Sequence, residues 1–138
     1  MNALRIAHLG FLCAWGGVLL TEFIIESLGE DDVSLAHAAR LHFWIDLLAE
    51  VPLVLAVLVT GGLLLAEIWP PTGLHLVKVA CALVAIGMNL YCSAIVVVRY
   101  RQRGDAAAVR RWGRHVRLSV LGVPFGAVAA YIGLVYFT

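Results

Sequence analysis

Glu22 and Glu26 stand four residues apart in one apolar run of this sequence, and His42, Asp46 and Glu50 continue an i, i+4 row in the next. On a helix, each row lies along one face. An ionisable group inside a bilayer costs about 2.5–3.5 kcal/mol on insertion scales, so a cluster of them in otherwise apolar segments points to function. Counting about 1.5 Å per residue from the ends of the runs puts Glu22 and Glu50 at similar depth, with Asn89 of the third run slightly deeper and His115 of the fourth nearer the surface. All four runs can then direct a polar group into one slab of a bundle interior. Carboxylates and imidazoles on facing helices hold divalent iron, copper, zinc or manganese, because the cation offsets carboxylate repulsion and replaces lost solvation. The spacing differs from the Glu-x-x-His of soluble di-iron bundles. Three readings of Glu22, Glu26, His42, Asp46, Glu50 and His115 therefore stand together. They form a metal site, they form a proton or ion path, or the acids are paired with Arg99, Arg114 and Arg117 or held protonated.

A second group lies at the opposite ends of the runs. His8 is one turn inside the first, and His75 and Lys78 occupy the first turn of the third. Antiparallel helices bring these ends to one side. Two histidines, or a histidine with another axial donor, projecting between helices suit a b-type haem, whose iron needs axial ligands in an apolar slot. His42 and His115 could form a second such pair. Against this stands the ordinary use of a histidine near an interface as a polar anchor, and of a lysine that snorkels outward.

The elements that position these groups follow from composition. Of 138 residues, 62% are hydrophobic and 14% charged, and mean hydropathy is +0.94, which leaves too little polar surface to coat a soluble globule. The sequence predicts an all-α fold, an integral membrane antiparallel four-helix bundle, with residues 1–138 as a single transmembrane domain. Spans are predicted at about residues 4–28, 41–66, 74–100 and 112–137. An acidic loop of Glu30, Asp31 and Asp32 and a short amphipathic stretch through Arg40 separate the first two. Pro70 and Pro71 open a tight turn between the second and third. The N-terminal run has no small-residue cleavage site and reads as a retained helix rather than a signal peptide.

Seven arginines, Arg99, Arg101, Arg103, Arg110, Arg111, Arg114 and Arg117, crowd the connection between the third and fourth spans. The positive-inside rule puts that connection in the cytoplasm and both termini in the periplasm of a bacterial inner membrane. Phe43, Trp44, Trp69, Tyr100, Trp112 and Tyr136 fall near span ends, as interfacial anchors do. Gly16, Gly17, Ala82, Ala85, Gly87, Gly122 and Gly126 remove bulk where helices could approach. Pro52 and Pro124 lie inside spans, where each should free a carbonyl and bend its helix. Cys13, Cys81 and Cys92 lack metal or redox spacing and read as small core residues.

His8 followed by Trp15 and Gly16-Gly17, a second span carrying Pro52 and terminal glycines, the segment from His75 to Lys78 opening the third, a basic loop, and Pro124 in the fourth form a pattern spread over most of the chain. In this it resembles the small bacterial membrane proteins of the HemJ type, protoporphyrinogen oxidases, and the related CopD-like group. The resemblance implies a haem-binding four-helix membrane protein with an oxidoreductase role, and carries His8 and Lys78 across as cofactor-binding positions.

The leading expectation is thus a membrane-embedded metalloprotein that binds haem or a transition-metal ion for electron transfer or oxidation. The alternatives are a metal-ion or proton transporter acting as a homo-oligomer, and a non-catalytic accessory subunit of a larger membrane complex. The chain has no glycine-rich phosphate loop, no nucleophile elbow and no nucleic-acid motif.

Overall fold

The computed structural model describes residues 3–29 and 31–136. Glu30 of the acidic loop and Phe137, the predicted end of the last span, lie outside the described residues. The elements are α1 (Ala3–Ser27), α2 (Asp32–Ile45), a π-helical turn (Asp46–Glu50), α3 (Val51–Ala66), α4 (Leu74–Arg101), α5 (Ala106–Ser119) and α6 (Gly122–Tyr136). They make four helices long and apolar enough to cross a membrane: α1, α2 through α3, α4, and α5 through α6. The fold is all-α, a four-helix bundle, as the hydropathy pattern predicts.

Two helix starts come earlier in the chain than predicted. α2 begins at Asp32 rather than near Leu41, because Asp31 caps it: Ser34 N–H donates to Asp31 Oδ1 at 2.7 Å and Asp31 N–H to Ser34 Oγ at 3.1 Å. These bonds hold the Asp31 carboxyl below the usual carboxylate range. α5 begins at Ala106 rather than Trp112, with Asp105 Oδ1 accepting from the Ala107 and Ala108 amides. At the other end of the bundle, a loop containing a cis Trp69–Pro70 peptide leads to Gly73, whose φ of +53° suits glycine, and α4 follows.

Both internal prolines disturb their helices in identifiable ways. A proline ring clashes with the carbonyl four residues back and lacks an amide proton. Ahead of Pro52 the helix widens into the π turn, where Val51 N–H reaches Asp46 O. Ahead of Pro124 the fourth span breaks at Val120 and Leu121, and α6 restarts with Pro124 in its first turn, where its missing donor costs nothing.

α1 packs on α3, and α4 packs on α6 and α5, while α2 joins the two pairs through contacts with α1, α4 and α5. One apolar cluster, Trp15, Val54, Val57, Ala85 and Ile86, lies mid-bundle. Another, Cys92, Ile95, Val96 and Val116, lies toward the arginine-rich end with Phe43 and Trp112 against it. Leu20, Phe23, Leu48, Val59 and Tyr131 face outward, an apolar exterior suited to lipid tails. Of the predicted close approaches, Gly122 and Gly126 meet Met88 and Ala85 on α4, whereas Gly16, Gly17 and Gly87 border open space. Cys92 is a core residue; Cys13 is exposed. Phe43 stacks on Tyr100 with centroids 4.1 Å apart, so these two are packing residues, while Trp44, Trp69 and Tyr136 are exposed as anchors are.

Candidate functional site

The interior holds two features in line along the bundle: a polar column and an apolar slot. The column starts at Arg99, the most deeply buried arginine, at 1% exposure. Its Nη1–H donates to Glu26 Oε1 at 2.5 Å and its Nε–H to Val109 O at 3.3 Å. His42 Nδ1 lies 2.8 Å from the same Glu26 oxygen, and His42 Nε2 is 3.7 Å from Glu22 Oε2, beyond direct hydrogen-bond range. The π turn carries the row onward. Asp46 Oδ1 accepts from Ser93 Oγ at 2.9 Å, and Glu50, fully buried, accepts from Trp15 Nε1–H at 3.2 Å and from the Asn89 amide. The Glu22 and Glu50 carboxyls are electrostatic neighbours. Glu22 Oε1, Glu50 Oε2, His42 Nε2 and Asn89 Oδ1 have no protein hydrogen-bond partner among the described residues.

The predicted slab is therefore a column, running about 15 Å along α4 from Arg99 to Asn89 at about 1.5 Å per residue. Five of its six predicted members meet. Glu26 and His42 form the Arg99 end, Asp46 and Glu50 the other, and Glu22 lies between them, beside both His42 and Glu50. His115 does not join them: its Nδ1 bonds to the exposed Tyr91 hydroxyl at 3.0 Å, beside the Trp112 ring, on a different side of α5. His42 and His115 thus engage separate partners and do not form a pair. Arg99 supplies the predicted arginine pairing, with Glu26, and among the described residues Arg114 and Arg117 make no such pair. Among the described residues, no three His, Cys, Asp or Glu side chains converge as a metal-holding group. Four carboxyls facing one guanidinium and one imidazole can still relay protons or hold a cation transiently.

The apolar slot occupies the proline-turn end, between the α1–α3 pair and the α4–α6 pair. It is a cavity of about 250 Å³, with Trp15, Val57 and Ile86 among its lining residues. Gly61, Gly62, Ala82, Ala85, Gly126, Ala129, Ala130 and Gly133 line it with little bulk, and His8, His75, Lys78 and Arg5 bring polar groups to it. The three predicted cofactor residues thus share one cavity. Gly61 and Gly133 make room for two of them: a Cβ at Gly61 would sit 3.2 Å from the His8 ring, and one at Gly133 3.4 Å from Lys78 Nζ.

His8 is held in one tautomer. Its Nδ1 lies 2.8 Å from Thr60 Oγ1, and that hydroxyl donates its own proton to Ala56 O at 2.7 Å. Thr60 must therefore accept from His8 Nδ1–H, which leaves the Nε2 lone pair available as a ligand. A histidine oriented through its other nitrogen is the usual arrangement at a metal.

Sequence reasoning missed Thr60, Ser93 and the role of Trp15. The signals were present. Thr60 is the one hydroxyl in the run from Val51 to Ala66, and Ser93 lies one turn from Asn89. Trp15, placed only within a motif, joins both features: its ring lines the slot and its Nε1–H binds Glu50. Comparison with family models, with curated proteins and with solved structures returns no match to this chain.

Proposed function

We propose that this chain is a membrane-embedded haem protein that holds a b-type haem in the slot at its proline-turn end, for electron transfer or oxidation. The observation that carries this reading is a small-residue slot between two helix pairs, lined by His8, His75 and Lys78, in which Thr60 fixes the His8 tautomer with Nε2 available. His8 would hold the iron, with His75 as the second donor, and Arg5 and Lys78 are the cations that would take the carboxylates of such a cofactor. Haem, when bound, supplies a one-electron iron couple. The apolar wall excludes water, and the bond from Trp15 to Glu50 ties the slot to a column of acids able to carry protons toward the arginine-rich end. The resemblance to HemJ-type proteins points the same way. In this reading the chain is a multi-pass protein of the bacterial inner membrane, with its arginine-rich end cytoplasmic and both termini periplasmic.

The test is a visible absorption spectrum of detergent-purified protein from haem-replete cells, air-oxidised and then dithionite-reduced. A Soret band that shifts on reduction, and that is lost in His8→Ala, supports the proposal. A colourless protein with normal helicity sinks it. If such a colourless sample carries stoichiometric metal, a transition-metal ion on the carboxylates takes its place.

A further inference from the structure

At the arginine-rich end a second cavity of about 250 Å³ opens beside the column, with Glu26, Arg99, Arg110, Arg114 and Arg117 among its lining residues. Three of these lie on α5 at i, i+4 and i+7, a single helix face, and Arg99 comes from α4. Gly113 lies on the same face, and a Cβ there would sit 3.6 Å from Arg99 Nη2, so the glycine leaves the buried guanidinium clear of any side chain at that point. The cations are unequally satisfied. Arg99 is paired with Glu26, and Arg110 with Asp32 at the start of α2. Among the described residues, Arg114 and Arg117 have neither an ion pair nor a side-chain hydrogen bond, although both line the cavity.

A basic loop alone satisfies the positive-inside rule with arginines spread over its surface, as Arg101 and Arg103 are. Among the described residues, the lining of this recess holds one carboxylate and four guanidinium groups, one of them also paired with Asp32 outside it. Like charges gathered against the low-dielectric end of a bundle repel one another more than they do in water, and an anion between them relieves that repulsion. The planar guanidinium fork matches the oxygens of a phosphate group. α4, long and apolar enough to cross a membrane, ends at Arg101 and the last span begins at Ala106, so the cavity lies at the end of two spans, where lipid phosphates are met.

We infer that this arginine-lined cavity is a phosphate-binding site, occupied by the headgroup of an anionic phospholipid or by free phosphate. Arg114 and Arg117 supply the charge, and Arg99 forms the fixed inner wall. The inference does not depend on the haem reading.

The test titrates detergent-purified protein with phosphatidylglycerol, read by native mass spectrometry, for wild type, R114Q/R117Q and R101Q/R103Q. All four substituted arginines are exposed, and circular dichroism checks that helicity is kept. At the strength of an arginine near an anionic surface, R114Q/R117Q should weaken binding roughly 30-fold while R101Q/R103Q changes it only a few-fold. A parallel titration with inorganic phosphate distinguishes the source. Displacement of lipid by millimolar phosphate, sensitive to R114Q/R117Q, supports the site with free phosphate as occupant, and retention of lipid under phosphate supports the headgroup. Equal loss in the two double variants, or no loss in either, overturns the inference in favour of diffuse surface charge.

Discussion

Arg99→Met tests how strongly the column is held together by charge. Methionine keeps most of the apolar stem but removes the 2.5 Å ion pair with Glu26 and the bond to Val109 O. If these were ordinary interhelical hydrogen bonds in a membrane, each would be worth about 0.6 kcal/mol and the pair about 1.2 kcal/mol. Breaking a buried ion pair costs about 3–5 kcal/mol, because the remaining charge is left without compensation, and an unpaired acid within the bilayer costs a similar 2.5–3.5 kcal/mol or so. Arg99 is 1% exposed and the Glu26 side chain 16%, so the charge term should dominate and Arg99→Met should lose about 3 kcal/mol. In Arg99→Met the Glu26 carboxylate keeps only His42 beside it, so adding Glu26→Gln, which removes that under-compensated charge, should recover about 1–2 kcal/mol of the loss. Reversible unfolding in mixed micelles of increasing SDS fraction, followed by far-UV circular dichroism, measures all four corners of the cycle. A loss below about 1 kcal/mol for Arg99→Met, or a double variant no more stable than the single one, would refute a charge-held column.

Three further outcomes follow from the geometry. Gly122→Ala places a Cβ 2.8 Å from Met88 Cβ, which cannot swing away, so α4 and α6 must part at about 1–3 kcal/mol; an unchanged melting temperature in detergent would contradict this. Thr60→Val removes the acceptor that fixes His8 and should weaken haem retention roughly 10–100-fold while leaving helicity intact; equal retention by dilution or apo-protein competition would assign Thr60 to packing alone. Asp31→Ala should speed hydrogen exchange at the Ser34 and Leu35 amides, with a definite pH signature. The Asp31 carboxyl titrates below its ordinary value through its bonds to Ser34, so the cap is present above the usual aspartate range and is lost as pH falls through the depressed value. Wild type should approach the variant only in strong acid, and a difference that persists there would show that the carboxylate is not the cap.

The spans were legible because twenty or more apolar residues between charged or proline-bearing turns leave few alternatives in a membrane. Their starts were less so. Asp31 and Ser34 make a capping box with serine in the position where glutamate or glutamine is the usual signal, so the polar first turns of α2 read as loop. Depth counting brought Glu22, Glu26 and His42 together, since all three lie a few turns from the same end. It also put Glu50 level with Glu22 and next to Asn89, and Glu50 does neighbour the Glu22 carboxyl and accept from Asn89; what it did not give is the extension of the row to the buried Arg99. His115 was misplaced for a different reason. Depth says nothing about azimuth, and its neighbours Arg111 and Arg114 already marked that part of α5 as polar-facing. That His8, His75 and Lys78 share one cavity was legible because the turn at Pro70 and Pro71 dictates which ends adjoin. The tautomer of His8 was not, since it depends on a hydroxyl in another helix.

The π turn between α2 and α3 sets the phase between the two halves of the column. A residue advances the helical azimuth by about 100°, so the wide turn at Asp46–Glu50 fixes the angular offset between His42 above it and Pro52 below. A π turn takes in one more residue than an α turn, so deleting one residue there while the chain closed into regular α-helix would keep His42 and Glu50 nearly in phase, whereas inserting one would add about 100° and swing His42 away from Glu22 and Glu26 while Glu50 stayed beside Trp15. Substitutions along the row test its members one at a time. An insertion in this one turn would instead uncouple its ends with every side chain still present, so the joint is sensitive to added length in a way that residue identity does not reveal.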